Sequence, residues 1–464
     1  MTWVAGVDSS TQSCKVVVCE AESGTIVAQG QAAHPDGTAV SAEKWWEALQ
    51  EASAGLLDRV EAIAVAGQQH GLVTLDAGGR PVRDALLWND TRSAQAAGDL
   101  IEELGGPRVW AEAMGSVPVA AFTVAKLRWL ADHEPAHADR TQTVLLPHDY
   151  LTWRLCGADA EPTTDRGDAS GTGYWSPAAN EYRKDLLASA FRDRVPRLPR
   201  VLEPSEVAGH TPTGVLVAAG TGDNAGAALG LGIGPGDVVV SLGTSGTVFA
   251  RTAEPSADPT GAIAGFASAT GDFLPLVCTL NAARVLSYTA DLLGVDLETL
   301  ETLAAQSEPG AAGVTLLPYL TGERTPNLPH ATGSLHGLRP DNMHPAHLAR
   351  AAYEGMLCNM ADALDHLRGT GVPVERVLLI GGAARSPLVR TAAAQIFDTA
   401  VSVPEPAEYV ALGAARQAAW ALAGTPDPPE WRSSTVTEVA APHDGSVGAS
   451  IRARYQAVRE TLHG

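Results

Sequence analysis

Positive charge is scarce in this chain: 32 lysines and arginines stand against 53 aspartates and glutamates, a formal net charge of -21. A nucleic-acid backbone or an anionic membrane surface as main partner demands local positive charge, and this composition argues against both. Anionic nucleotides stay compatible, because backbone amides and Mg²⁺ hold phosphate without cationic side chains. Cysteines are few, odd in number and scattered, at Cys14, Cys19, Cys156, Cys278 and Cys358. That favours reduced thiols in the cytoplasm over a disulfide framework. Cys14 and Cys19 have no second close pair to complete a metal cage. No apolar run approaches membrane-spanning length, and the first residues enter a β-like run without the basic region, apolar core and cleavage site of a secretory signal. A GxxxxGK[ST] loop is also missing, and no nucleophile–His–acid order is compelling.

What the chain has is size and a recurring turn. Its 464 residues, 45% apolar, suggest two domains of similar size. The opening strands WVAGVD, SCKVVVCE and TIVAQG precede a helical segment around Trp45 to Leu57 and the strand EAIAVAG. GVLVAAGTGDNAGAALGLG then reads as strand, loop and helix. The pattern begins again with the hairpin VVVSLGTSGTVF, the long helix AHLARAAYEGMLCNMADALDHLRG, and the strand, turn and helix of RVLLIGGAARSPLVRTAAAQIF. Two α/β halves are expected, 1–234 and 235–464, the second ending in a C-terminal helix, with the boundary between 232 and 237.

The turns carry the chemistry. Asp8 follows VAGV and precedes SSTQS, where amides and hydroxyls suit phosphate oxygens and Asp8 suits Mg²⁺; an Asx-type turn is the plain alternative. In Ser241–Thr247 two glycines permit turn geometries barred to bulkier residues, and Thr244 and Ser245 add donors. Asp223 ends an apolar run before a helix of small residues. Phosphorylating a hydroxyl needs a proton acceptor beside an aligned oxygen, and Asp223 is the candidate base, with helix capping as its alternative. Gly381, Gly382 and Ala383 form a further strand-to-helix turn that lets backbone approach a nucleoside. Gly413 is read as helix packing rather than nucleotide contact. Gln69 and His70 in GQQHG, and Trp88 with Asn89 and Asp90 in LLWND, suit a polyhydroxylated substrate, although a satisfied loop histidine and a structural tryptophan are the simpler isolated readings. The whole reads as an ATP-dependent small-molecule kinase.

In order, DSSTQS, GQQHG, LLWNDTR, LLPHDYLTWRL, GTGDNAGAALG, SLGTSG, LPYLTGERTP, EG, LIGGAARS and ALGAA resemble the FGGY carbohydrate kinase family, most closely its members that phosphorylate D-xylulose. The resemblance spans nearly the whole chain. It implies two actin-like (ribonuclease H-like) ATPase domains flanking a catalytic cleft, with ATP and Mg²⁺ as cofactors and a small ketose as substrate. By that resemblance Asp223 deprotonates the sugar 5-hydroxyl, and Asp8 and Asp223 serve the metal. Thr11, Gly243, Thr244 and Ser245 lie at nucleotide phosphates, with Gly381, Gly382 and Ala383 nearer adenosine. Gln69, His70, Trp88 and Asn224 lie on the sugar side, and His70 argues against a glycerol pocket. Domain closure that excludes water and a homodimer are further expectations. Two positions depart from the family pattern: Ser10 stands where a glycine is usual, and Gln69 where a methionine is typical. The rival readings are a kinase of L-ribulose, L-xylulose or glycerol and, in another class, an actin-like nucleotide switch or chaperone.

Overall fold

The computed structural model describes residues 1–431, 436–441 and 444–463, and these fall into two compact units. The first comprises Met1–Ile233, Thr252–Pro275 and residues 407–431; the second comprises Gly234–Arg251, Leu276–Pro406 and the described residues from 436 onward. The single cut expected at 234/235 therefore marks only the first crossing of the chain. Residues 407–431 return to the first unit for a reason visible in its sheet.

That sheet contains β1 (Trp3–Ser9), β2 (Ser13–Glu20), β3 (Ile26–Ala33), β4 (Val60–Gly67), β5 (Val207–His210) and β6 (Leu216–Ala218), in the order β5-β6-β4-β1-β2-β3. The short strand β7 (Thr221–Gly222) runs parallel beside the end of β4. Alternate residues of a strand point to opposite faces. Ala5, Val7, Val16, Val18, Ile63 and Val65 thus share one core with Trp45 and Leu49 of α1 (Ala42–Ala52), which stops short of the expected Leu57. Val4, Val17, Ala62, Ala64 and Ala66 line the opposite face. This second face needs its own cover, because parallel strands are buried on both sides. The alanine-rich helix from Tyr409 to Ala423 supplies it with Ala411, Ala414, Ala415 and Ala418.

The second unit repeats the plan. Its sheet orders β10-β9-β8-β11-β12-β13, from β8 (Asp237–Leu242), β9 (Gly246–Ala250), the last residues of β10 (Phe273–Thr279), β11 (Arg376–Ile380), β12 (Val401–Pro404) and β13 (Val436–Val439). β8 pairs antiparallel with β9 and parallel with β11, as β1 pairs antiparallel with β2 and parallel with β4. The long helix expected after AHLAR spans Pro345–Gly369 and is buried along most of its length. A further helix beyond the alanine-rich one runs from Ser446 to His463. Among the described residues no helix is long and apolar enough to cross a membrane. All five cysteines are free thiols.

Candidate active site

In the first unit three parallel strands end side by side. Asp8 pairs with Ala66 and Ser9 with Gly67 across β1 and β4, while Gly67 pairs with Gly222 across β4 and β7. Their carboxyl ends bring to one edge the turn after β1, the loop Gln68–Gly71, and helix α2 (Asp223–Leu231). This is the edge of a parallel sheet where ligands gather. Asp8 itself belongs to β1 rather than to the turn expected from its sequence, and Asp223 is the first residue of its helix.

Both carboxyls are held above the usual carboxylate range. Asp8 is 6% exposed, and burial lifts it to about 6 against the opposing hydrogen bond from the Ser10 hydroxyl. Asp223 meets solvent over part of its surface, yet the protein mass around it desolvates the carboxyl and, with the charges of Asp8 and Asp168, lifts it to about 7. Neither forms an ion pair among the described residues. Two carboxylates that no ion pair neutralises, with Lys15 across the strand acting on Asp8 only through its field, are the oxygen donors that a hard divalent cation takes, so this pair fits Mg²⁺. The Ser10 departure has a concrete effect: its side chain donates to Asp8 Oδ1, which a glycine could not do.

The sugar-side candidates converge on the same edge. Asn224 Nδ2 donates to Gln69 Oε1 at 3.2 Å and to Asp223 Oδ1 at 3.0 Å, and the Asn224 amide donates to the same carboxylate at 2.8 Å. The Gln69 side chain also packs over Gly222, where an added Cβ would meet it at 2.8 Å. His70 is 6% exposed and adopts φ 67°, with its Nδ1 2.7 Å from the Gly171 carbonyl. Trp88 directs its indole N–H to Thr11 Oγ1 at 2.8 Å. One hydrogen bond thus joins the Trp88 loop to the turn after β1.

In the second unit Ser241 pairs with Ile380, so the turns after β8 and β11 leave the sheet as neighbours. Gly243, Thr244 and Ser245 follow β8, with Thr244 exposed; Gly381 and Gly382 follow β11 and are exposed, while Ala383 is half-buried. Gly381 has φ 93°, and a Cβ there would lie 2.5 Å from the Leu242 carbonyl oxygen. Only glycine lets the two turns approach so closely. Gly413 is a packing residue, as its sequence context suggests: its Cα side faces the backbone of Gly226 in α2.

Sequence reasoning missed four buried ionisable residues, His148, Asp149, Asp168 and Lys126. His148 Nδ1 lies 2.6 Å from Asp168 Oδ2 and its Nε2 lies 3.4 Å from Asp149 Oδ1, all three being 0–1% exposed. Burial opposes the imidazolium, but the charges of Asp149, Asp168 and Asp165 outweigh it and lift His148 to about 9. Asp168 in turn contributes to the upward shift of Asp223. Lys126 is also fully buried, and its ammonium donates to the His70 carbonyl at 2.9 Å. The only available signals were His148 following an apolar run in LLPHDY and a lysine inside the apolar segment FTVAKLRWLA.

The sequence matches the N-terminal domain of the FGGY family of carbohydrate kinases over residues 3–237 and the C-terminal domain of that family over 238–422. It is 51% identical over 437 residues to a xylulose kinase of Streptomyces coelicolor, covering 91% of this chain and 88% of that protein. The fold superposes on the crystal structure of xylulose kinase from Bifidobacterium adolescentis with a TM-score of 0.90 and 45% identity, covering 99% of both chains. Plasmodium falciparum glycerol kinase with ADP shares the fold at a TM-score of 0.88 but only 18% identity, over 100% of this chain and 99% of that one.

Proposed function

The chain belongs to the FGGY family of carbohydrate kinases, and we propose that it transfers the γ-phosphoryl group of ATP to the 5-hydroxyl of D-xylulose. The observation that carries this reading is the meeting of Asp223, Asn224, Gln69 and His70 at the carboxyl ends of β4 and β7, in a chain 51% identical to a xylulose kinase. Fold alone does not select the sugar, since a glycerol kinase shares it.

Asp223 is the general base. A carboxyl lifted to about 7 is matched to accepting a proton at neutral pH. As the sugar O5–phosphorus bond forms and the bond from phosphorus to the ADP oxygen breaks, the hydroxyl proton passes to an Asp223 oxygen and then to solvent. Asn224 fixes that carboxylate through two hydrogen bonds, so its rotamer is set before substrate arrives. Gln69, His70 and Trp88 bind the ketose hydroxyls and its C–H face. Thr11, Gly243, Thr244 and Ser245 supply amide and hydroxyl donors for the phosphates, and Gly381, Gly382 and Ala383 offer bare backbone to adenosine. Asp8 and Asp223 would hold Mg²⁺, which when bound neutralises phosphate charge. Positioning and charge stabilisation of this kind account for most phosphoryl-transfer catalysis. The five free thiols support a reduced, cytoplasmic setting.

The test is to measure ADP release and sugar phosphate together, with Mg-ATP and a panel of D-xylulose, L-ribulose, L-xylulose and glycerol. D-xylulose 5-phosphate as the main product, lost in a folded Asp223→Ala variant, is the expected result. Full activity in that variant would sink the base assignment. Dominant turnover on another sugar would move the substrate, and ADP release without any phosphorylated sugar would favour a nucleotide switch.

A further inference from the structure

We propose that Lys126 is a positioning residue that holds His70 in the backbone geometry with which the Gln69–His70 loop meets the sugar. The inference rests on the sugar-kinase reading above. His70 sits at φ 67°, in the left-handed region. A non-glycine residue held in such a region is strained and persists only when its surroundings enforce it.

The enforcing contacts are specific. Lys126 Nζ donates to the His70 carbonyl oxygen at 2.9 Å, and Thr123 Oγ1 donates to the same oxygen at 3.2 Å. The ring is fixed from the other side, with Nδ1 2.7 Å from the Gly171 carbonyl. A carbonyl oxygen only accepts, so Nδ1 carries a proton in this geometry. Phe122 stacks on the ring at 4.8 Å, and Phe266 flanks it at 5.6 Å. Both carbonyl donors lie in the first turn of the helix Thr123–His133, immediately after Phe122. One short segment therefore clamps both the backbone and the ring of His70.

Lys126 has no simpler structural reason to be there. Its side chain is 0% exposed, makes no ion pair among the described residues, and directs its ammonium to the carbonyls of His70 and Ala121. Burying an ammonium without a carboxylate partner is expensive. Its neighbours Val124, Ala125 and Leu127 are buried and apolar, so a methionine of similar length would serve packing alone. The acid whose field reaches Lys126 is Asp90, in the Trp88 loop.

The experiment compares the full-length protein with Lys126→Met, varying D-xylulose and Mg-ATP separately, and follows the histidine ring nitrogens by NMR of ¹⁵N-histidine-labelled protein. The His70 signal is identified by its loss in His70→Asn. Losing a charge-assisted hydrogen bond predicts a rise of roughly tenfold or more in KM for the sugar, with KM for ATP unchanged. The His70 ring signal is expected to move. A folded Lys126→Met protein with an unchanged sugar KM and an unmoved His70 signal would overturn the proposal. Should Lys126→Met fail to fold, Thr123→Val removes the second donor to the same oxygen. It is then expected to raise the sugar KM alone, and an unchanged KM would count as refutation. If the wild-type protein phosphorylates no sugar, the kinase reading has failed, and the His70 signal in Lys126→Met still decides whether the lysine positions that residue.

Discussion

Replacing Gly413 with alanine should wedge apart two helices of the first unit and carry the proposed base out of place. A Cβ at Gly413 would lie 1.8 Å from the carbonyl oxygen of Gly226 and 2.9 Å from the amide nitrogen of Gly230. Both obstacles are backbone, so no side chain can swing aside. Ordinary contact begins near 3.4 Å, so the helices must part by 3.4 − 1.8 = 1.6 Å at this level. Overpacking typically costs about 1–3 kcal/mol, and a backbone-to-backbone clash belongs at the upper end. The first unit exceeds about 250 residues, so each kcal/mol moves the midpoint by roughly 2 °C or less and the melting temperature should fall by up to about 6 °C. The functional effect follows from position: Gly226 is one turn from Asp223 in the same helix. A displacement of about 1 Å in a positioned group can cost on the order of 100-fold in rate. The assay is thermal unfolding followed by steady-state kinetics well below the new midpoint. A Gly413→Ala protein with unaltered midpoint and kcat would refute the close-approach argument.

Two further outcomes are expected. Gly382→Ala should leave stability unchanged, because a Cβ there meets nothing within 4 Å. If nucleoside lies against that backbone, KM for ATP rises several-fold while KM for the sugar does not; an unchanged KM for ATP would remove this turn from the nucleotide site. The second concerns pH. His148 is raised from its ordinary 6.5 to about 9, so its stabilisation is complete below pH 6.5 and lost as pH rises through 9. Lys126, lowered by burial to about 7, acts in the opposite sense, its destabilisation relieved as pH rises from 7 toward 10.5. That term is common to wild type and His148→Gln, so the difference between their melting curves reports the His148–Asp149–Asp168 cluster, whose two carboxyls the imidazolium holds down. The two curves should differ in slope between about pH 6.5 and 9.5, and parallel curves would refute a charged His148 within that cluster.

Much of the architecture was legible because it is written in local patterns. Alternating apolar residues in WVAGVDS, SCKVVVCE and VEAIAVAG mark strands, and the recurrence of hairpin, helix and strand after residue 236 marks a second copy of the same plan. The place of Asp223 was legible for a similar reason, since an apolar run followed by small residues marks a strand-to-helix junction, and Asp223 is the first residue of that helix. The return of residues 407–431 to the first unit was not legible. An alanine-rich helix looks alike whichever sheet it covers, and only the uncovered second face of β1 and β4 decides the matter. The placement of Asp8 within β1 was also hidden, because a strand end and a turn beginning share the same residues.

By itself the sequence determined the family, the order of the elements and the residues able to take a proton or cradle phosphate, because these depend on short-range periodicity and on side-chain chemistry. Tertiary structure alone decided which of those residues meet. Gln69 and Asn224 are 155 positions apart and hydrogen-bonded; Trp88 and Thr11 are joined across 77. It also decided what stands behind them. A buried ammonium under His70 and a buried imidazole between carboxylates are defined by their surroundings, and surroundings assembled from distant segments leave no local trace in the chain.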